Sequence, residues 1–258
     1  MSEAFAAGWL ALREPADRSA RSADLARRFL AATPAGGTIL DLAAGTGANT
    51  RYLQGLDGAG RRWRLVDADG DLLGAAHGLA GRPECRIVDL ATEPLDRLLD
   101  GVAGVTASAF IDIVSLNWLA QFAVALAARG LPVLMALSVD GRIHLDPPDP
   151  GDADILARFA ADQERDKGFG PAAGPHAPAG FARMLADAGY DVALNRSDWR
   201  LSGDATGLAA AYLRGLALDA DGDPRAAAWL QRRLDAAASG RLDITAGHID
   251  LLGQPRHN

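Results

Sequence analysis

The sequence contains a single cysteine, Cys85, among its 258 residues. One thiol excludes an intrachain disulfide and any zinc centre built on several thiolates. The histidines are scattered, and none belongs to the histidine pair at i, i+4 that is typical of a helical zinc site. The five are His77, His144, His176, His248 and His257. The sequence therefore predicts no metal centre.

An excess of positive charge is also missing. The chain has 26 lysines and arginines against 33 aspartates and glutamates, a formal net charge of −7. Proteins that bind nucleic acid normally present a basic surface. We therefore expect neither DNA nor RNA as a partner, and a small molecule as the substrate.

Long hydrophobic runs are absent as well. Residues 113–128 carry no charge, but they are too few for the roughly 20 residues that cross a bilayer, and they include Asn117 and Gln121. The amino terminus has Glu3 early and lacks the basic-then-apolar pattern of a signal peptide. We expect a cytoplasmic protein without a membrane partner, and no feature of the sequence predicts its oligomeric state.

The most informative segment is residues 37–48, GTILDLAAGTGA. Its apolar run predicts a buried parallel strand, which then turns through Gly45 and Gly47 into a helix from Ala48. Glycines lack a Cβ and let backbone amides approach a ligand closely. Asp41 adds a negative charge at the strand end, which suits a ligand with both a cation and hydrogen-bonding oxygens and disfavours a pyrophosphate.

The segment DLAAGTGAN resembles the first glycine-rich motif of class I S-adenosylmethionine-dependent methyltransferases, acidic-x-Gly-x-Gly-x-Gly. It matches at Asp41, Gly45 and Gly47 and departs at Ala43, where the family usually has glycine. The resemblance implies S-adenosyl-L-methionine as cofactor, with the acid and the glycine loop holding its methionine part. By motif it covers about residues 35–140.

Two further acids follow the next predicted strands. Asp67 ends the second strand, where a carboxylate can accept hydrogen bonds from both ribose hydroxyls. Asp89 follows the third strand, and the resemblance implies that it binds the adenine amine while Leu90 packs on the ring. Because the carboxyl ends of parallel strands meet at one edge of a sheet, we expect Asp41, Asp67 and Asp89 to converge.

The resemblance also implies that the end of the fourth strand faces the transferred methyl group. The residues assigned to the cofactor are Asp41, Ala43, Gly45, Thr46, Gly47, Asn49, Asp67, Ala68, Asp89, Leu90, Thr106 and Ser108.

The acceptor side is predicted from residue types. A protonated oxygen or nitrogen nucleophile needs a base, and His144 is the candidate whose pKa suits neutral pH, although a histidine on a strand is more often structural. Asp140 and Asp146 are alternatives. Asp112 and Asn117 either face the site or cap the helix after the fourth strand, and for Asp112 capping is the expectation. The substrate-binding candidates are Arg13, Arg18, Asn117, Arg142 and Lys167. A basic one among them would bind a carboxylate of an anionic acceptor or of the cofactor.

These patterns together predict an α/β fold. We expect a doubly wound, seven-stranded, mostly parallel sheet of the Rossmann-like methyltransferase type, with the closing strand antiparallel beside the fifth. Residues 1–33 would form a helical amino-terminal lid, broken at Pro15, and residues 34–258 the cofactor-binding domain, with a helical insertion at about 203–240.

Two other functions stay open at this point. A NAD-dependent oxidoreductase also uses a glycine turn and an acid near position 67, but its Gly-x-Gly-x-x-Gly pattern would need glycine at Thr50. A regulator that binds S-adenosylmethionine without turnover is the second alternative, because methyl transfer requires no fixed catalytic side chain. The predicted function is methyl transfer to an oxygen or nitrogen atom of a small molecule.

Overall fold

The computed structural model describes residues 7–58, 60–76, 78–218 and 222–256. His77 and His257, and the first six residues of the expected lid, lie outside these ranges.

Eight strands form one sheet in the described part of the chain. The parallel strands from the first to the fifth run in the spatial order β3-β2-β1-β4-β5, followed by β8 and then β6, while β7 pairs with β8. β8 is antiparallel to β5, β6 and β7. The strands are β1 Thr38–Leu42, β2 Arg62–Asp67, β3 Glu84–Ile87, β4 Gly104–Ser108, β5 Val133–Asp146, β6 Tyr190–Arg196, β7 Trp199–Leu201 and β8 Asp243–Pro255.

This arrangement confirms the predicted α/β fold and the antiparallel closing strand beside the fifth. The prediction differs in one detail. Residues 199–201 form a separate short strand, β7, which brings the number of strands to eight instead of seven among the described residues. The chain leaves β6 after Arg196 and returns to pair with the other half of β8.

Within the described ranges, ten α-helices connect and cover the strands. They are α1 Ala7–Ala20, α2 Ala23–Ala32, α3 Ala48–Gln54, α4 Gly70–Ala76, α5 Leu95–Leu98, α6 Leu116–Ala127, α7 Asp152–Gln163, α8 Ala177–Asp187, α9 Thr206–Leu216 and α10 Pro224–Ala238. Among the described residues, no helix is both long and apolar enough to cross a membrane.

The expected break at Pro15 is wrong. Helix α1 continues through Pro15, and the chain turns instead at Arg21 and Ser22, where the Ser22 hydroxyl accepts a hydrogen bond from the Leu25 amide and caps α2. A proline inside a helix removes one backbone hydrogen bond and can be tolerated when neighbouring elements hold the helix. Here Trp9 packs edge-on against Trp199 of β7, and so supplies such a contact.

The two faces of the sheet carry separate apolar cores. Successive strand residues point to opposite faces, so Ile39 packs with Phe29 of α2 while Leu40 packs with Phe122 of α6. All four side chains are fully buried. Helices on both faces make the sheet doubly wound, as the sequence predicted.

A third core lies beyond the carboxyl edge of the parallel strands. It joins Leu145 from the extension of β5, Trp199, Leu213 of α9 and Trp229 of α10, with Trp9 of α1 packed against it. This helical layer sits next to the edge at which the predicted site residues end, and α1 is part of it.

Candidate functional site

Strained backbone marks one edge of the sheet. Ala43, Ala109 and Leu137 have positive φ angles of 48°, 51° and 55°. Ala43 and Ala109 directly follow β1 and β4, and Leu137 directly follows the part of β5 that pairs with β4. This left-handed conformation costs a residue with a Cβ about 1–3 kcal/mol and concentrates at functional sites. These residues with positive φ therefore lie at the edge of the sheet where the sequence predicted the cofactor.

The glycine loop follows β1 at this edge. Gly45 and Gly47 have φ angles of 52° and 76°, and a Cβ on Gly47 would lie 2.6 Å from a methyl carbon of Leu79. Glycine is therefore favoured at Gly47 by its backbone conformation, and a Cβ there would also force the Leu79 side chain to move. Ala43, the departure from the family motif, occupies the same left-handed region without the freedom of glycine.

Asp41 is completely buried beneath this loop. Its carboxylate accepts hydrogen bonds from the Asn49 side-chain amide and the Thr50 hydroxyl, both at 2.6 Å. Burial raises the pKa of Asp41 to about 6. Because both carboxylate oxygens already have partners in α3, Asp41 braces the loop from below. Asn49 also donates to Thr106 of β4, at 3.2 Å, so three of the predicted cofactor residues share one buried network.

Asp67 lies against the glycine loop. One carboxylate oxygen accepts from the Gly45 amide at 2.7 Å and the other from the Asp69 amide at 2.9 Å. The Asp69 side chain accepts from the Leu72 amide at 3.1 Å, the helix cap expected from the sequence. The structure thus brings together the second-strand acid and the glycine motif, and Asp67 stays partly accessible.

Asp89 is the acid farthest along this edge. Its side chain is exposed and accepts from the Ala91 amide at 2.9 Å. The neighbouring Leu90 is buried, and its carbonyl accepts a hydrogen bond from the indole nitrogen of Trp118 at 3.2 Å. Ala68 is exposed, and Thr46 and Ser108 are partly buried. The three acids therefore lie at the carboxyl ends of neighbouring strands: Asp41 and Asp67 in the last residues of β1 and β2, and Asp89 two residues after β3.

Arg21 is a site residue that sequence reasoning missed. It is only 8% exposed, donates to the Asn49 side-chain oxygen at 2.6 Å, and lies 4.2 Å over the Tyr52 ring. Burial lowers its pKa, opposed by the charges of neighbouring acids, with Asp250 first among them. An arginine before a helix cap gives no signal in the sequence, because its burial depends on α1 folding over α3.

The four predicted carboxylate-binding cations already have acidic neighbours. Arg13 pairs with Asp17 at 2.8 Å, and Lys167 lies 3.7 Å from Asp162. Arg142 bridges two acids, Asp140 and Asp198, through contacts of 2.7 Å to each. These ion pairs reduce the positive charge that each side chain can offer to an anionic acceptor.

The remaining substrate-binding candidates lie in less enclosed positions. Arg18 is largely exposed and 3.9 Å from Glu14. Asn117 is exposed on α6.

His144 lies on the extension of β5, six residues past Ser138 or roughly 20 Å along the strand, and its side chain is exposed. The structure does not bring it next to the glycine loop. His248 of β8 is the buried histidine at this edge, at 5% exposure, and pairs in register with Val139. Its Nδ1 is 3.0 Å from the Ala246 carbonyl. A carbonyl can only accept, so Nδ1 carries the proton and the neutral ring keeps a lone pair on Nε2.

The electrostatic surroundings keep that ring neutral. Burial, and after it the charge of Arg13, lower the pKa of His248 to about 4. The ring centre of His248 lies 5.1 Å from that of Trp199, and the Arg13 guanidinium lies 4.9 Å from the Trp199 ring centre. Sequence reasoning missed His248 because the sequence predicts the closing strand beside β5 but does not give the register of that pair, which sets His248 opposite Val139.

The expected capping role of Asp112 is wrong. The Ser115 hydroxyl accepts from the Trp118 amide at 3.1 Å and caps α6 instead. Asp112 is 6% exposed, and within the described residues its Oδ1 has no hydrogen-bond partner. Burial raises the pKa of this carboxyl to about 6. The hydroxyl of Ser138, at the end of the parallel part of β5, is likewise buried and unpartnered there.

Helix α1 crosses over the glycine loop. A methyl carbon of Leu10 lies 3.2 Å from the place that a Cβ on Gly45 would take. Glu14 accepts two hydrogen bonds from Arg51 of α3, both at 2.8 Å, and Asp17 accepts from the Trp199 indole at 2.9 Å. The helix therefore connects the loop with the helical layer beyond the sheet.

Comparison with solved structures supports the fold. No family model and no curated protein matches the sequence. A protein assigned as a type II methyltransferase, from Anaeromyxobacter dehalogenans, is similar in structure with a TM-score of 0.54 and 18% identity, over 92% of this chain and 98% of that one. A protein assigned as a methyltransferase, from Bacillus halodurans, gives 0.51 and 17%, over 91% and 100%. The chain has the class I methyltransferase fold.

Proposed function

We propose that this protein transfers the methyl group of S-adenosyl-L-methionine to oxygen or nitrogen of a small acceptor. The observation that carries the proposal is the contact of Asp67 with the Gly45 amide at the carboxyl edge of a methyltransferase-type sheet. A nucleoside seated there would present its ribose hydroxyls to Asp67, which can accept both. The assignment of the two similar structures as methyltransferases supports this choice.

The other residues of the edge have consistent roles in this proposal. Asp41 holds the start of α3 in place through Asn49 and Thr50, directly after the glycine loop. Arg21 supplies the buried positive charge beside Asn49 that suits the carboxylate of the cofactor's amino-acid tail. Asp89 and Leu90 bind and cover the adenine. The bound cofactor supplies a methyl group on a sulfonium, which the protein aligns with the acceptor and shields from water.

The amino-terminal helices and the helical layer complete the proposed domain plan. Residues 1–33 act as a lid, since α1 lies over Gly45 and is tied to α3 by Glu14 and Arg51. The insertion at about 203–240 covers the acceptor side, because α9 and α10 pack in the third core beside β7. Methyl transfer between these layers would proceed away from bulk water.

Binding and turnover are tested separately. Calorimetry of the purified protein with S-adenosylhomocysteine and with NAD distinguishes a methyltransferase from a NAD-dependent oxidoreductase. Asp67→Ala should weaken S-adenosylhomocysteine binding, whereas Asp96→Asn, an exposed acid that pairs with Arg129, should not. A methyl-transfer assay on a panel of small metabolites then follows. Binding without turnover of any compound would identify a non-catalytic regulator, and binding of NAD alone would overturn the proposal.

A further inference from the structure

The carboxylate of Asp250 joins two segments that are far apart in the chain. Asp250 lies in β8 and is 1% exposed. One of its oxygens accepts a hydrogen bond from the Ser22 amide, between α1 and α2, and the other accepts from the Leu137 amide of β5, both at 2.8 Å. Each oxygen therefore has a backbone donor, which offsets the cost of burying the group. Asp250 is not one of the residues assigned to the cofactor or to the acceptor.

One end of this link is a β-bulge at the carboxyl edge of the parallel strands. The register of β5 against β8 shifts by one residue between Met135 and Ser138, so that Ala136 and Leu137 both lie opposite Asp250. A bulge bends its strand, and bulges are frequent next to active sites. The amide that Asp250 accepts belongs to Leu137, whose φ of 55° is a strained conformation for a residue with a Cβ. The Asp250 side chain therefore holds the bulge in this conformation.

The other end of the link is the turn between α1 and α2. The Ser22 amide that donates to Asp250 lies two residues past Ala20, the last residue of α1. Because a helix is stiff, fixing its carboxyl-terminal end sets the direction of the whole helix, whose Leu10 lies over Gly45. A hydrogen bond from an amide to a buried carboxylate is stronger than a partly exposed ion pair. Asp250 is therefore a firmer attachment for α1 than its partly exposed ion pair with α3.

The charge of Asp250 also stabilises Arg21, which lies in the same turn. Burial lowers the pKa of the Arg21 guanidinium, and Asp250 is first among the charges that oppose this effect. Within the described part of the chain the guanidinium forms no ion pair, and it donates a hydrogen bond to Asn49 at 2.6 Å. A buried charge without compensation is costly. The position of Arg21 beside the start of α3 therefore depends on Asp250 as well.

We propose that Asp250 is a positioning residue that retains the bound cofactor. Its carboxylate attaches the Arg21–Ser22 turn to the bulge of β5 and so holds α1 over the glycine loop. Loss of the carboxylate releases the carboxyl-terminal end of α1, while the contact of Asp67 with the Gly45 amide stays in place. The cofactor then leaves faster, because the helix that covers its site is no longer held there. This inference rests on the proposed binding of S-adenosylmethionine and identifies what keeps it bound.

The test measures the dissociation rate of S-adenosylhomocysteine from the full-length protein in a stopped-flow displacement experiment. Asp250→Ala should raise this rate about tenfold or more, as expected for loss of a hydrogen bond to a charged group. The matched control is Asp152→Ala, in α7, where the carboxylate accepts from the Trp229 indole and the Arg233 guanidinium. This control should lower the stability of the protein and leave the dissociation rate unchanged. Asp250→Asn, which keeps one acceptor oxygen, serves if Asp250→Ala does not fold.

A second pair of variants tests whether Asp250 acts through the turn. Ser22→Pro removes the amide that donates to Asp250, and the φ of −74° at Ser22 is one that proline adopts. Ser22→Ala keeps this amide and loses only the hydroxyl that caps α2 at Leu25. Ser22→Pro should speed dissociation and Ser22→Ala should not. In the Ser22→Pro background, Asp250→Ala should add no further increase, because the two substitutions remove the same hydrogen bond.

Calorimetry of the wild-type protein with S-adenosylhomocysteine separates this inference from the function on which it rests. Failure of the wild-type protein to bind the compound overturns the proposed function. Three results overturn the role of Asp250 alone, with wild-type binding intact. They are an unchanged dissociation rate in Asp250→Ala, an equal increase in Asp152→Ala, and a full further increase when Asp250→Ala is added to Ser22→Pro.

Discussion

The Asp67 carboxylate accepts a hydrogen bond from the Gly45 amide at 2.7 Å, across 22 residues of sequence. This contact joins the end of β2 to the loop after β1, so the acid and the glycine motif form one site. The same carboxylate also accepts a hydrogen bond from the Asp69 amide, which fixes the orientation of the Asp67 side chain. A ligand with two neighbouring hydroxyls would replace the first of these contacts and keep the second.

Replacing Asp67 by alanine should raise the Kd for S-adenosylhomocysteine at least about tenfold, because a hydrogen bond to a charged group contributes about 1.5–3 kcal/mol. Isothermal calorimetry measures this Kd. The matched control is Asp69→Ala, in the same turn, whose side chain caps α4 at the Leu72 amide. That variant should lose about 1 kcal/mol of stability and keep its affinity. Equal losses of affinity in both variants would argue against a ribose contact.

Ala43→Gly should stabilise the protein, by up to about 1 kcal/mol, because Ala43 has a φ of 48° that glycine adopts without strain. The expected gain is the strain removed less the greater entropy that glycine loses on folding. Ala44→Gly, at a neighbouring residue without a positive φ, should lose about 0.5–1 kcal/mol. Urea unfolding measures the stability of the two variants. A loss of stability in both Ala43→Gly and Ala44→Gly would contradict backbone strain at Ala43.

Breaking the Glu14–Arg51 pair should loosen α1 without unfolding the domain. The pair is bidentate but partly exposed, with side-chain exposures of 23% for Glu14 and 37% for Arg51. Its contribution to stability should therefore stay below about 1 kcal/mol. If α1 covers the bound cofactor, Glu14→Gln should speed dissociation of S-adenosylhomocysteine in a stopped-flow experiment. Glu93→Gln, in an exposed pair with Arg97, should not, and unchanged dissociation in both variants would rule out a lid.

Asp112 makes the stability of the protein depend on pH in a definite direction. Burial raises its pKa in the folded state from 3.8 to about 6, so the folded protein binds the proton more tightly than the unfolded chain does. The contribution of this group to stability is fully present below pH 3.8 and is lost as the pH rises through about 6. The backbone amide of Asp112, the charges of Arg13 and Lys167 and the backbone amide of Val139 oppose this rise in the pKa.

Asp112→Asn removes this titration while those of Asp41 and His248 remain. The variant should therefore gain stability relative to the wild type as the pH rises from 4 to 7.5, by up to about 3 kcal/mol. Urea unfolding at several pH values measures the difference. A difference that does not change with pH would show that Asp112 is not buried as an unpaired acid.

The sequence predicted those parts of the site that depend on local patterns. Short apolar runs that end in Asp41, Asp67 and Asp89 identify parallel strands and their common edge. The glycines can be recognised from the local sequence of the turn alone. The same reasoning failed at Pro15, where contacts of α1 with other elements outweigh the local preference of proline.

The acceptor side could not be predicted in the same way. Arg21 is buried because α1 packs against α3, and His248 lies opposite Val139 because β8 inserts beside β5. Asp112 stands out only after the structure shows that Ser115 has taken the cap and left its carboxylate oxygen unpaired. Each of these depends on partners distant in the chain.

The most direct measurement is the melting temperature of the wild-type protein with and without S-adenosylhomocysteine, with NAD as the comparison. At a concentration one hundred times its Kd, a ligand that binds only the folded state adds about 2.7 kcal/mol to the free energy of unfolding. We expect S-adenosylhomocysteine to raise the melting temperature and NAD to leave it unchanged. No shift with S-adenosylhomocysteine, or a shift with NAD alone, would contradict a site built from the glycine loop and Asp67.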